Sequence, residues 1–298
     1  MVDFLQNIVD GVMVGSGYAL LGLGFTLIFG VMRRLNLSYG PSVMVGIFVG
    51  TWFHLRGAGL LAVIAATLAG TVLANVYVDR LCFWAVRQRS AITAVVSSFV
   101  IWMQLEEAVI LVFPDRTYPF PRLTALEPIE LGPIFFRAEY VTMFACVALL
   151  LAGVWLLVYR TRFGLALRAV AQDPVAARYM GIPLDWIGLG VAVMAALIGG
   201  LAGLLIAGTD QLVIPKFGLW ATYKGLIAMM LGGMGSIPGA VCGGLLLGVA
   251  EIQFVWYLGA QFRDLAAYFL LFTFLVLRPG GLLGQAIVRR ELAAFRRI

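Results

Sequence analysis

Six apolar stretches, near residues 8–31, 57–77, 92–113, 139–159, 186–208 and 237–258, are each long enough to cross a bilayer as a helix, which takes about 17–25 residues. Hydrocarbon offers no water to backbone N–H and C=O groups, so a spanning segment of this kind has to satisfy them internally as an α-helix. Three further apolar segments, 41–54, 219–234 and 264–277, are too short to cross upright and read as broken, steeply packed or re-entrant pieces. Charged residues make up 12% of the chain, about half of the roughly 25% a soluble domain carries. Most of the surface must therefore face lipid. The expected fold is an all-α, polytopic membrane protein of eight or nine transmembrane helices, a single domain over residues 1–298.

The connections between these segments carry a sign. If all nine cross, residues 32–40, 78–91, 160–185 and 278–298 lie on one side and hold twice as many Arg and Lys as 54–57, 114–138, 209–224 and 259–264. Basic residues mark the cytoplasmic side, which puts the N-terminus outside and the C-terminus in the cytoplasm. The formal charge of +6 thus reports orientation, and nucleic acid is not among the expected partners. MVDFLQNIVD at the start has two aspartates and no basic residue, so it reads as the beginning of a span and not as a signal peptide. Trp52, Trp155, Trp186, Trp220 and Trp256 fall near span ends, where an interfacial belt would place them. The long outer connection 114–138, rich in proline and charge, is expected to form a surface cap.

Several chemistries are excluded. Cys82, Cys146 and Cys242 have no metal-type spacing, and His54 is the only histidine. The sequence lacks a G-x-x-x-x-G-K-[ST] phosphate loop, a G-x-S-x-G elbow and an H-E-x-x-H pair. Neither an enzyme nor a cofactor-binding protein is expected.

The most polar interior stretch is 160–185, with Arg160, Arg162, Arg168 and Arg178. Within it Asp173 suits an N-cap and Pro174 the first helical position, where a missing N–H costs nothing. Gly181 suits the left-handed position after a helix, and Pro183 prevents continuation. The spacing predicts a helix of about two turns, roughly 10 Å long, with Val175 and Tyr179 on one face. It reads either as a docking element or as an ordinary connection.

Small residues recur at helical spacing: Ala195, Gly199, Gly203 and Ala207; Gly239, Gly243, Gly244 and Gly248; Gly22, Thr26 and Gly30. Such stripes permit close helix packing or line a narrow conduit. Glu251 projects from the face of Gly244 and Gly248, near the outer end of its span. Ser97, Gln104 and Glu107 share one side of the 92–113 segment, with Glu106 almost opposite. Lys224 opens another short segment. Ionisable groups inside spans are functional candidates, or pairs that hold helices together.

The run TYKGLIAMMLGGMGSIPGAVCGGLLLGVAE (222–251) resembles the signature of branched-chain amino-acid ABC transporter permeases of the LivH type. RAVAQDPVAARYMGI (168–182) is similar to that family's coupling segment, FTLIFGVMRRLNLSYGPSVMVGIFVG (25–50) to its early N-x-[AS]-H-G segment, and SSFVIWMQL (97–105) to its S-x-x-L-Q stretch. Tyr39 replaces the family's usual histidine, and Glu106 follows Gln104–Leu105 where the family often has asparagine. The resemblance implies a bacterial inner-membrane permease subunit importing branched-chain amino acids or related small solutes such as urea or amides. Its implied partners are a second, identical or related permease, two cytoplasmic ATPases that bind the ATP, and an extracytoplasmic binding protein. Arg168, Asp173, Pro174, Ala177, Arg178 and Gly181 would couple to the ATPases. Asn36, Tyr39, Gln104, Glu107, Lys224, Gly244, Gly248 and Glu251 would belong to the translocation path. The alternative is a secondary transporter with internal repeats, because the interrupted segments 35–50 and 231–248 occupy loosely similar positions in the two halves.

Overall fold

The computed structural model describes residues 2–85, 91–123, 129–131, 134–278 and 280–284. Arg87, Arg89 and the basic stretch 285–298, which contribute to the orientation argument, lie outside the described residues, as does part of 114–138.

Eleven α-helices follow one another among the described residues: α1 (Val2–Met32), α2 (Tyr39–Leu55), α3 (Leu60–Val78), α4 (Ala91–Val112), α5 (Ala138–Arg160), α6 (Arg162–Gln172), α7 (Pro174–Tyr179), α8 (Leu184–Asp210), α9 (Phe217–Gly232), α10 (Ile237–Leu258) and α11 (Arg263–Leu277). Helix α3 continues as a π-helical turn, Asp79–Trp84, and a 3₁₀ turn, Ala260–Phe262, leads into α11. Strand β1 (Tyr118–Pro119) pairs antiparallel with β4 (Leu212–Val213), and β2 (Ile129–Leu131) with β3 (Ile134–Phe136). Seven helices among the described residues are long and apolar enough to cross a membrane. The 3₁₀ turn lengthens the short 264–277 segment into one of them, Ala260–Leu277. The other two short segments are α2 and α9, of 17 and 16 residues.

Helix α1 is the axis of the bundle, and glycine lets its neighbours reach it. A Cβ added at Gly248 or Gly244 of α10 would overlap the backbone of Gly15 or Ala19, and one at Gly22 would lie 2.9 Å from the Ala228 Cβ of α9. On α8, Gly199 and Gly203 receive Tyr39, Val43 and Ile47 of α2. The small-residue stripes are therefore filled by neighbouring helices, the close-packing reading of the sequence. In particular, the Gly244–Gly248 face considered as a conduit is closed by α1.

The order of elements repeats. Helix α1 ends at Arg33, a non-glycine residue in the left-handed region (φ 50°), six residues before α2 begins. Helix α8 ends at Gln211, the other such residue among those described (φ 57°), six residues before α9 begins. In each half a long, deeply buried helix leads to a short buried one, then a full span, then a helix with little of its surface covered by the chain: α4 and α11. The counterpart of 33–55 is thus 211–232, not the 231–248 segment suggested by glycine and proline positions. On one side the halves are strapped together, the Phe120 N–H donating to the Gln211 carbonyl at 2.9 Å beside the β1–β4 pair. Tyr118 anchors that strap against Phe48 and Phe113, at ring distances of 5.9 and 5.1 Å.

Candidate functional site

Two regions carry the polar chemistry, one on the 160–185 connection and one inside the bundle. In the first, the Thr161 hydroxyl caps α6 by accepting from the Gly164 N–H at 3.1 Å. Asp173 caps α7, its Oδ1 accepting from the Val175 and Ala176 N–H groups at 2.8 and 3.1 Å, with Pro174 in the first turn. Gly181 takes φ 83°, and the Ile182 N–H returns to the Ala177 carbonyl at 3.1 Å. The local chemistry places this helix where the spacing predicts it. Ala177 points inward, whereas Val175, Tyr179, Met180 and Arg178 are exposed. Arg168 is half-buried, its guanidinium 5.1 Å from the Tyr159 ring. Two features escaped the sequence reading: the amphipathic helix α6, and Arg33, whose Nη2 donates to the Ala171 and Gln172 carbonyls at 3.3 and 3.2 Å and so ties the end of α6 to the end of α1.

Inside the bundle, Lys224 of α9 and Glu251 of α10 are fully buried and paired. Lys224 also donates to Asp264 Oδ1 at 3.2 Å, and its Nζ sits 5.6 and 5.0 Å from the Tyr18 and Tyr223 rings. Glu251 Oε2 accepts from the Tyr18 hydroxyl at 2.9 Å and from Arg263 Nε at 3.2 Å. Arg263 Nη2 donates to the Tyr18 oxygen at 2.8 Å, and the Tyr223 hydroxyl to Asp264 Oδ1 at 2.7 Å. Helices α1, α9, α10 and α11 thus meet in one network whose two cations balance two carboxylates. Lys224 and Glu251 were recognisable as intramembrane charges. Their companions Tyr18, Arg263 and Asp264 were not, since Tyr18 lies in an apolar run and the other two in what reads as a connection.

The remaining candidates separate into two groups. Asn36 and Tyr39 shape the start of α2: Asn36 Oδ1 accepts from the Ser38 N–H at 3.0 Å, and the buried Tyr39 hydroxyl donates to the Ala195 carbonyl of α8 at 3.0 Å. Ser98, not Ser97, is the buried serine of α4; it accepts from the Leu37 N–H at 3.3 Å. Gln104 and Glu107 instead lie on the uncovered face of α4, where Gln104 accepts from the Tyr77 hydroxyl at 3.2 Å. Glu106 is half-buried and accepts from Trp102 Nε1 at 2.8 Å.

The sequence model of the branched-chain amino acid transport system / permease component family matches residues 7–277. The chain belongs to this family. It is 30% identical over 302 residues to the high-affinity branched-chain amino acid transport system permease protein LivH of Escherichia coli K12, covering 96% of this chain and 97% of that one. The fold is similar to that of PsaBC from Streptococcus pneumoniae, solved in complex with Fab (TM-score 0.53, 13% identity, 97% and 95% of the two chains). It is also similar to an inward-facing metal-chelate type ABC transporter (TM-score 0.51, 16% identity, 92% and 87%). Family members are permease components of a branched-chain amino acid transport system.

Proposed function

We propose that this permease is one of two membrane subunits of an ATP-driven importer of branched-chain amino acids, with α6 and α7 as the surface on which cytoplasmic ATPases dock. The observation that carries the reading is the exposed cap on α7: Val175, Tyr179 and Met180 are 62%, 88% and 79% exposed on a helix fixed at both ends. A rigid apolar knob flanked by Arg178 fits a protein groove. Arg33 joins this unit to α1, so displacement of α6 and α7 by ATP-driven closure would reach the axis of the bundle as a rigid-body movement. Solute would cross between this chain and its partner permease, along the α4 face that presents Gln104 and Glu107. An ionisable group within a span belongs against a partner or water, not lipid. Asn36, Tyr39, Lys224, Gly244, Gly248 and Glu251 support this path by holding helices rather than by lining it. The N-terminus lies outside and receives the binding-protein side; the C-terminus is cytoplasmic.

Gly181→Val tests the docking surface. No atom lies within 4 Å of an added Cβ there, so the substitution acts only through backbone strain, about 1–2 kcal/mol in the left-handed region. The variant should accumulate normally, bring down less ATPase on affinity purification, and lose ATP-dependent leucine uptake. Normal uptake with normal ATPase recovery would remove α7 from the mechanism. A wild-type protein that purifies with no ATPase would favour a secondary transporter.

A further inference from the structure

Arg263 and Asp264 are consecutive at the start of α11, one of the two spans least covered by the rest of the chain. Their side chains are 42% and 58% exposed, while Lys224 and Glu251 behind them are fully buried. Each is held by only part of its polar edge. Arg263 uses Nε and Nη2 toward Glu251 and Tyr18. Asp264 receives both of its bonds, from Tyr223 and Lys224, on Oδ1. Arg263 Nη1 and Asp264 Oδ2 are left without a partner in the network, and the inner bonds fix where the two groups stand. A guanidinium and a carboxylate held side by side match the carboxylate and ammonium of an α-amino acid, with charge-assisted hydrogen bonds at both ends. The whole cluster is charge-balanced, so a zwitterion adds no net charge, whereas a cation or an anion would. Beside it Tyr223 and Tyr268 stand with ring centroids 5.9 Å apart, and Tyr268 is half-exposed, offering an apolar wall one helical turn from Asp264.

We propose that Arg263 and Asp264 form a subsite for a zwitterionic aliphatic α-amino acid, the carboxylate on Arg263 Nη1, the ammonium on Asp264 Oδ2 and the side chain against Tyr223 and Tyr268. The subsite rests on the amino-acid import reading above and deepens it. It requires both solute charges, so neutral solutes such as urea are not held.

The test uses the permease purified with its partner subunits, with Cys82, Cys146 and Cys242 changed to Ala and the exposed Gln261 changed to Cys. The rate of maleimide labelling is followed with L-leucine, leucinamide (no carboxylate), 4-methylpentanoate (no ammonium) or urea present. L-Leucine should slow labelling, and each single-charge analogue should need about tenfold or more higher concentration for the same effect, the loss expected from one charge-assisted hydrogen bond. Urea should have no effect, and Asp264→Asn should remove protection by leucine while Asp264→Glu restores part of it. Absence of protection by leucine, or equal protection by either analogue, overturns the subsite. ATP-dependent leucine uptake by the Gln261→Cys protein is measured in parallel. Retained uptake without protection removes the subsite alone, whereas absence of leucine uptake with import of another solute removes the amino-acid reading itself.

Discussion

Lys224 and Glu251 lie 27 residues apart in sequence and meet where neither touches solvent. Removing one member of a buried pair leaves an uncompensated charge, at a cost of about 3–5 kcal/mol. Within this network the two cations and two carboxylates sum to zero. Lys224→Met leaves it with one negative charge and Glu251→Gln with one positive charge, but the double variant is neutral again. Each single variant should therefore lower the unfolding temperature of the detergent-solubilised protein, followed by tryptophan fluorescence, and the double variant should recover part of the loss. Strictly additive losses would show that the pair is not coupled. The sequence offered both residues as candidates but left their meaning open between path and pairing. The pairing is visible only once α9 and α10 are laid together with α1 and α11. Tyr39 illustrates the same limit: its hydroxyl serves the Ala195 carbonyl of another helix, a partner 156 positions away.

At the scale of elements, local signals were read well where the chemistry is local. The Asp173–Pro174 start and Gly181 end of α7 are satisfied by groups within a few residues, so spacing was enough to find them. The glycine faces are different, because a stripe of glycine states only that something approaches closely. For Gly248 the approaching group is the α1 backbone at Gly15 and Gly11; for Gly153 of α5 nothing lies within 4 Å of an added Cβ. Gly248→Leu should accumulate several-fold less in membranes than the wild type, since overpacking of about 1–3 kcal/mol falls on the central helix contact. Gly153→Leu should accumulate normally. Immunoblots of membrane fractions check both, and normal amounts of Gly248→Leu would contradict the α1–α10 packing.

At the scale of the molecule, charge counting predicts the orientation, and the short helix α2 decides whether the count holds. If α2 crosses, the link after it is outside while the α6–α7 segment is inside. A cysteine at Arg56 should then react with an impermeant thiol reagent in intact cells, and one at Asp173 should react only after the membrane is opened. Labelling of Asp173→Cys from outside would invert the topology and withdraw the docking surface; protection of Arg56→Cys would make α2 re-entrant. Hydropathy by itself determined that the chain is helical and membrane-embedded, because lipid leaves a long apolar segment no other way to satisfy its backbone. Motif spacing determined helix α7, whose caps are short-range. Tertiary structure alone decided that the halves repeat with 33–55 matched to 211–232, that Gly244 and Gly248 receive a helix instead of lining a conduit, and that Arg263 and Asp264 join Lys224 and Glu251. The reason is physical: a charge or a glycine in a span declares a need for a partner, and which partner meets it depends on how helices distant in sequence are packed.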